Sequence, residues 1–292
     1  MKKQLSLLAC LLVAATAAVA QTQSDAPLKP AKQADPATWN RYTVNGEKFS
    51  VTFPSIPLMM TGEAIVTGSK RVRSERLLGV HADGGVYAVL ICENPKRQQS
   101  LRDFIVERTQ LEGWHLASEQ IVKVDGFTGK QYSSMSSAPA TAQFFAVEDR
   151  LYQFRVEGAR AESAGVNRFF SSISFANING LAISNGPGVS SSDEGAERIF
   201  TSKEVDMKPR LLTRPMPSYP ESARKKRISG TIILKVVLSS RGSVDNIQIV
   251  QALPGLTEQA IEAARKIKFM PAMKNGKYVS TTTQLEYSFY YQ

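Results

Sequence analysis

The chain has 292 residues, 42% hydrophobic and 21% charged, a composition that excludes a disordered or fibrous protein. Two Cys exclude a disulfide scaffold or a Cys-rich zinc module, and two His leave little material for a histidine metal site. The net charge of +10 is uneven, because residues 21–201 hold 19 basic and 19 acidic side chains and residues 202–292 hold 15 and 7. This asymmetry predicts two modules with different partners.

The first twenty residues have the pattern of a secretory signal peptide. Two lysines precede the uncharged apolar stretch Leu5–Ala20, which ends in the small-x-small pattern Ala18-Val19-Ala20. Because the stretch is shorter than the roughly 20 residues that span a bilayer, we predict cleavage after Ala20 and export. An uncleaved inner-membrane anchor is the alternative, and lipidation of Cys10 stays open.

Composition divides the rest of the chain into four parts. Residues 21–39, rich in Ala, Pro, Gln, Asp and Lys, are predicted to be a flexible leader. Residues 40–176 are predicted to form an α+β domain, an antiparallel sheet with helices on one face. Asn, Gly and Ser dominate residues 177–207, which predicts a flexible linker between domains that move nearly independently. Residues 208–292 form the second predicted domain.

The first domain shows strand and helix signals in a definite order. Asn45-Gly46 predicts a hairpin turn between two strands, and Ser100 is predicted to cap a helix that ends at Gly113. Two strands are predicted on either side of residues 148–150, followed by a short helix at about residues 161–170. The order and length of these elements resemble the PsbP-like group, which implies an antiparallel sheet with helices on one face.

The second domain has a helix–strand–strand–helix–strand pattern. The sequence predicts a short helix over residues 221–227, strands at 231–238 and 244–250, a helix capped by Thr257, and a last strand over 278–290. Apolar and polar side chains alternate along this last strand, so one face covers a core and the other meets water. Because the strand is long, we expect it to outrun its neighbour and leave an unpaired edge.

Specific motifs of the second domain carry a family resemblance. In chain order they are Tyr219-Pro220-x-x-Ala223, Gly230-Thr231, Gly242-x-Val244, Phe269-x-Pro271-Ala272 and Asn275-Gly276. In this order they resemble the TonB C-terminal domain. The resemblance implies a small αββαβ domain in the periplasm that binds an extended peptide, the TonB box of an outer-membrane transporter, by adding it as a strand to a sheet edge.

The resemblance also implies where the partner binds. The site falls on the Tyr219-Pro220 turn and on the edge of the last strand. The polar positions of that strand are Ser280, Thr282, Gln284, Glu286 and Ser288. The basic charge of the domain favours acidic partners. For Tyr219-Pro220, an equally supported interpretation is that the pair only shapes the start of the helix.

Departures from the family favour binding over force transduction. Energy-transducing members have an uncleaved anchor containing a His and a long Pro-rich spacer, whereas no His here precedes His81. The partner is therefore expected to be an outer-membrane transporter or another envelope protein. The alternative function is an envelope assembly module, in which the C-terminal domain pairs with a second copy or a scaffold and has no role in energy transduction.

Other chemistry finds little support in the residues. No nucleophile–base pair is singled out, so the chain is not predicted to be an enzyme, and no metal or cofactor is expected. No sequence motif supports a hydrolase activity within residues 40–176. An exported protein is not expected to meet nucleic acid, so the basic run Arg224–Arg227 is predicted to be a solvated helix end. Membrane contact is expected only if the N-terminal segment stays uncleaved.

Overall fold

The computed structural model describes residues 39–66, 72–134, 139–158, 163–183 and 198–290. The predicted signal peptide and all of the predicted leader except Trp39 lie outside these ranges. The first ten strands are β1 (Asn40–Val44), β2 (Ser50–Phe53), β3 (Leu58–Ile65), β4 (Val72–Ala82), β5 (Gly85–Glu93), β6 (Leu116–Val124), β7 (Phe127–Ser134), β8 (Ala140–Val147), β9 (Arg150–Glu157) and β10 (Leu181–Ile183).

The remaining strands belong to the C-terminal part of the chain. They are β11 (Arg210–Thr213), β12 (Gly230–Leu238), β13 (Val244–Gln251), β14 (Lys268–Met270), β15 (Ala272–Lys274), β16 (Lys277–Val279) and β17 (Thr281–Phe289). The helices are α1 (Leu101–Glu112), α2 (Ala164–Ser171), α3 (Glu221–Lys225) and α4 (Thr257–Arg265). The α+β class predicted from the sequence is confirmed.

A seven-stranded antiparallel sheet, in the order β3-β4-β5-β9-β8-β7-β6, forms the first domain. Alternate residues of β5 enter two different cores: Tyr87 packs in one, and Ala88 packs in the other. Phe169 of α2 joins the first core, and Phe104 of α1 joins the second. The helices therefore lie on opposite faces, which differs from the predicted placement on one face, because the central strands are apolar on both sides.

The predicted boundaries of α1 are confirmed by its caps. Ser100 Oγ accepts a hydrogen bond from the backbone N–H of Asp103 at 3.1 Å, which satisfies one of the free donors of the first turn. Gly113 follows the helix with φ of 65°, in the left-handed region where a residue without Cβ costs least. The helix presents Phe104 and Ile105 to the second core of the sheet.

Charged side chains are buried between α1 and the sheet. An Nη2 atom of Arg73 lies 2.8 Å from Glu75 and 2.9 Å from Glu107. Arg108 is 3.7 Å from Glu75, and Lys268 reaches the same carboxylate at 3.2 Å from the C-terminal domain. We name these five residues the buried charge cluster. Burial opposes ionisation of Glu75, but Arg108, Lys268 and Arg73 outweigh it and lower the pKa of Glu75 to about 2.

The C-terminal domain is built on the three-stranded sheet β13-β12-β17. Apolar side chains of β12 and β17 pack against α4, and Ala223 of α3 joins the same core. This arrangement has the predicted αββαβ order. The short strands β11, β14, β15 and β16 are additions, and they pair among themselves as β11 with β14 and β15 with β16.

The predicted last strand over residues 278–290 is divided in two. Lys277–Val279 pairs with β15, whereas Thr281–Phe289 pairs with β12. The prediction of a single continuous strand was therefore wrong. Ser280 lies between the two strands, where its Oγ accepts a hydrogen bond from the backbone N–H of Ser240 at 2.9 Å. Residues 280–284 are all polar and include no Gly or Pro, so the sequence carries no signal that marks the break.

The described parts of the predicted linker make specific pairings. Strand β10 lies parallel to β1, in a small sheet with β2. Phe200 forms a parallel bridge with Thr281, and Met207 forms an antiparallel bridge with Met273. These pairings differ from the flexible linker expected over residues 177–207, although residues 184–197 lie outside the described ranges.

The two domains share an interface. Leu212 and Met270 pack in the core beneath α1, and Arg155 donates a hydrogen bond to the carbonyl of Leu212 at 3.1 Å. His81 Nε2 donates to the carbonyl of Pro271 at 2.9 Å, and burial lowers the pKa of His81. All of the described residues fall in one compact unit, which contradicts the expectation of nearly independent domains.

Candidate functional site

Strand β17 is the element that the sequence placed at the binding site. It pairs with β12 over nine residues, from Thr281 opposite Leu238 to Phe289 opposite Gly230. Its apolar side chains Leu285, Tyr287 and Phe289 are buried in the core of the C-terminal domain. Because β17 is the outermost strand of its sheet, its second edge has no strand beside it among the described elements.

The direction of the backbone groups on that second edge follows from two hydrogen bonds. The N–H of Thr282 donates to the carbonyl of Phe200 at 3.0 Å, and the N–H of Phe200 donates to the carbonyl of Ser280 at 2.9 Å. In an antiparallel ladder, backbone groups of alternate residues point to the same edge. Gln284, Glu286 and Ser288 therefore direct their N–H and C=O groups outward.

The polar positions predicted from the sequence coincide with this outward set. The side chains of Gln284 and Glu286 are exposed, and those of Thr282 and Ser288 are half-buried. Ser280 is buried, at 3% exposure, and precedes the strand. The outer edge of β17 from Thr283 to Phe289, on the side away from β12, pairs with no strand among the described elements, and we name it the free edge.

Arg214 lies across the free edge. Its guanidinium carbon is 4.9 Å from the centre of the Tyr287 ring, and its Nη2 donates a hydrogen bond to the carbonyl of Glu286. Burial raises the pKa of Tyr287, so its hydroxyl stays neutral at physiological pH. A single exposed side chain holds this outward carbonyl, and a side chain is easier to displace than a paired strand.

Phe200 occupies the start of the same edge. Two cations lie over its ring, Arg198 at 4.7 Å and Lys274 at 4.9 Å from the ring centre. Arg198 also pairs with Glu204 at 2.8 Å, which closes residues 198–204 into a local turn. The backbone of Phe200 therefore satisfies the carbonyl of Ser280 and the N–H of Thr282, and it does not reach the outward groups of Gln284, Glu286 and Ser288.

The Tyr219-Pro220 pair lies at the other end of β17. The Tyr219 hydroxyl donates to the carbonyl of Ile228 at 2.7 Å, and its ring packs against Phe289 at 5.9 Å between centres. The guanidinium carbon of Arg224 in α3 lies over this ring, 5.7 Å from its centre. These contacts fasten α3 to the sheet, which explains the pair by its role in the fold. They also place Tyr219 beside the last residue of the free edge.

Sequence reasoning missed Phe200 and Arg214. Phe200 is an isolated aromatic residue close after a Ser- and Gly-rich stretch, and that position is the one signal that marks it. Arg214 is one cation among many in a basic domain, and nothing in its neighbours singles it out. Both residues reach β17 only through the tertiary fold.

Two further properties bear on the class of site. Within the described ranges, no group of three or more His, Cys, Asp or Glu side chains is arranged to hold a metal ion. The one Cys that the structure describes, Cys92, is buried in the apolar strand β5 with a free thiol. None of the described helices is both long enough and apolar enough to cross a bilayer.

Comparison with known proteins identifies the C-terminal domain. Residues 215–291 match the family of the Gram-negative bacterial TonB protein C-terminal, which confirms the resemblance seen in the motifs. Protein TonB of Klebsiella pneumoniae is 39% identical over 59 residues, which are 20% of this chain and 24% of that protein. Protein TonB of Escherichia coli strain K12 is 37% identical over 65 residues, 22% of this chain and 27% of that protein. The chain spans about a quarter of the length of these curated relatives.

Two solved structures also align with the chain. The solution structure of the Pseudomonas aeruginosa TonB C-terminal domain has 24% identity and a TM-score of 0.24, and covers 28% of this chain and 87% of that one. The solution structure of PsbP from the cyanobacterium Synechocystis has 14% identity and a TM-score of 0.30, and covers 51% of this chain and 98% of that one. The PsbP-like interpretation of residues 40–176 stays a prediction.

Proposed function

We propose that this chain is a periplasmic, TonB-like protein that binds extended segments of outer-membrane transporters by adding them as a strand to the free edge of β17. The observation that carries the proposal is the outward set of backbone groups at Gln284, Glu286 and Ser288. These groups lie in a domain of the TonB C-terminal family, whose full-length relatives are named as TonB proteins. In this proposal the protein supports transport across the outer membrane by binding and not by catalysis.

The energetics of such a complex favour modest affinity. Five backbone hydrogen bonds contribute about 1 kcal/mol each, whereas ordering five peptide residues costs about 1–2 kcal/mol each. Backbone pairing alone is near balance, so side chains must add to it. The exposed side chains of Gln284 and Glu286, and Lys235 opposite Gln284 on β12, are the groups available beside the edge. Displacement of Arg214 from the Glu286 carbonyl is part of the cost.

A matched pair of variants tests the edge directly. Gln284→Pro removes one outward N–H and leaves the ladder with β12 intact, because proline is tolerated where the N–H of an edge strand faces solvent. Gln284→Ala removes the side chain and keeps that N–H. Fluorescence polarisation with labelled TonB-box peptides and the full-length protein is expected to show about tenfold weaker binding to the proline variant. The alanine variant is expected to stay within about twofold of the wild type.

Two results would contradict the proposal. One is equal binding by the proline variant and the wild type, provided that circular dichroism shows both to be folded. The other is an absence of binding at millimolar peptide. A concentration-dependent dimer in light scattering that dissociates in the proline variant and excludes peptide would instead support the assembly module, with β17 pairing to a second copy.

A further inference from the structure

A cleft lies between the two domains, and none of its lining residues belongs to β17. Its volume is about 690 Å³. One wall is formed by residues 58–63 of β3, and the other by the β12–β13 turn at residues 241–244 and by residues 265–268 after α4. Both domains therefore contribute to the cleft.

The β3 wall of the cleft is a sheet edge. Strand β3 is outermost in the seven-stranded sheet and pairs with β4 over eight residues. Every second residue of such a strand directs its N–H and C=O groups away from its neighbour. In the part of the chain that the structure describes, no backbone segment hydrogen-bonds to these outward groups. The cleft is thus bordered by about 20 Å of unpaired strand, at roughly 3.3 Å per residue over six residues.

The position of the opposite wall is fixed by a close contact. Gly242 has φ of 87° in the β12–β13 turn, and a Cβ atom at this position would lie 2.2 Å from the sulfur of Met60. Glycine therefore lets the turn approach the β3 side chains closely. Arg241, the neighbour of Gly242 in this turn, lines the same cleft as β3.

The cleft carries an excess of positive charge. Its lining cations are Arg241, Arg265, Lys266 and Lys268, and its one lining carboxylate is Glu63. Lys268 is paired with Glu75, whereas the described residues offer no acidic partner within salt-bridge distance of the other three cations. Arg265 and Lys266 also suit the negative end of the α4 dipole, but Arg241 lies outside that helix and has no such role.

We infer that this cleft binds an extended acidic polypeptide segment, which adds to β3 as an eighth strand. The unpaired edge supplies backbone donors and acceptors at the repeat of an extended chain, and the three unpaired cations select carboxylate side chains. A small anion would use the cations and leave the strand edge unpaired. This site uses different strands from the free edge of β17, so it stands independently of the proposed function.

A labelled peptide of alternating Glu and Val is the probe, titrated against the full-length protein. Saturable binding is expected, and it should weaken as ionic strength rises. The double variant Arg265→Gln/Lys266→Gln is expected to bind about fivefold more weakly at low ionic strength. The matched control Lys225→Gln/Lys226→Gln makes the same charge change on exposed residues of α3 and its C-terminal cap, and is expected to stay within about twofold of the wild type.

A second peptide separates strand addition from charge attraction. It keeps the Glu residues and replaces every Val by Pro, which removes backbone donors and prevents strand pairing. Equal binding of the two peptides would overturn strand addition at β3. An equal loss of affinity in the Lys225→Gln/Lys226→Gln control would show that binding depends only on net charge, which would overturn the inference. An absence of binding at low ionic strength would also overturn it. If the double variant fails to fold, Arg241→Gln replaces it. Gln284→Pro should leave this binding unchanged, which distinguishes the cleft from β17.

Discussion

The buried charge cluster and the free edge of β17 treat polar groups in opposite ways. In the cluster, Arg73, Glu75 and Glu107 are each 5% exposed or less, and every one has an ionic partner within the protein. Along the free edge, the outward backbone groups meet one exposed side chain, that of Arg214, among the described residues. Both regions are polar, but the first satisfies its groups internally and the second leaves them for an incoming strand.

This difference separates what holds the domains together from what they can bind. A buried charge that loses its partner is costly, so the cluster fixes the positions of α1, β4 and the Lys268 segment relative to one another. An edge strand exposed to water loses little when its hydrogen bonds pass from water to a peptide. We therefore expect substitutions in the cluster to change stability, and substitutions at the edge to change binding.

The largest expected effect comes from removing the central carboxylate of the cluster. Glu75→Ala leaves Arg73, Arg108 and Lys268 without this shared partner, and we expect a loss of about 3–5 kcal/mol in the free energy of unfolding. Urea denaturation followed by circular dichroism measures it. Glu119→Ala, which removes the exposed ion pair with Lys130, should leave the midpoint nearly unchanged. Equal losses of stability in Glu75→Ala and Glu119→Ala would contradict the view that the buried charge cluster holds the fold together.

Acid should weaken the same region. The folded-state pKa of Glu75 is about 2, below its ordinary value of 4.5, so its stabilising contribution is present above the ordinary value. That contribution is lost as the pH falls from about 4.5 towards 2. The urea midpoint of the wild type should therefore fall more steeply in this window than that of Glu75→Gln, which cannot titrate. If the urea midpoints of the two proteins fell in parallel with pH, titration of Glu75 would not be the cause of the acid sensitivity.

Removal of the Phe200 ring should increase the affinity of the β17 edge for long peptides. Phe200→Ala removes the ring that contacts Arg198 and Lys274, so the segment that covers Ser280 and Thr282 is held less tightly. A peptide long enough to reach these positions is expected to bind about threefold more tightly, as one more backbone hydrogen bond becomes available. Ile199→Ala, at the exposed neighbouring position, is the control. Unchanged affinity in Phe200→Ala would mean that peptides pair only beyond Thr282.

The smallest effect is expected at Arg214. Arg214→Ala removes the cation above Tyr287 and the donor to the Glu286 carbonyl, and we expect a loss of about 0.5 kcal/mol in unfolding free energy. Chemical denaturation measures this change, with Arg241→Ala, an exposed cation outside the β17 edge, as the reference. A loss several times larger would show that Arg214 is part of the fold and not a displaceable cover.

The sequence predicted the local features of the molecule better than its covered surfaces. The motif order from Tyr219 to Asn275 was sufficient for the C-terminal family, and Ser100 and Gly113 marked both ends of α1. Arg73 and Glu75, in contrast, lie in the polar run of residues 73–76 in β4, which is typical of a strand end exposed to water. Their burial depends on α1 and Lys268 covering that face, and a pattern along one strand carries no information about such a cover.

The free edge of β17 was predictable only in part, because the sequence pattern of one strand carries no information about the segments that cover it. Alternation over residues 285–289 predicted which side chains share a face of β17, and the direction of the backbone groups follows the same period of two once the hydrogen bonds of Phe200 fix it. It did not identify the break at Ser280, the strand-like contact of Phe200 or the cover of Arg214. Each of these depends on segments far away in the chain, and the use of Tyr219 and the β17 positions by a partner stays a prediction.

The shared interface between the domains has a consequence for partners that carry more than one segment. Leu212 and Met270, buried beneath α1, hold the β3 cleft and the free edge of β17 on one compact body. A bivalent partner that occupies one position would present its second segment to the other at a high effective concentration, provided that its tether spans the separation. Two modest affinities would then combine into a long-lived attachment, which either segment alone would not achieve.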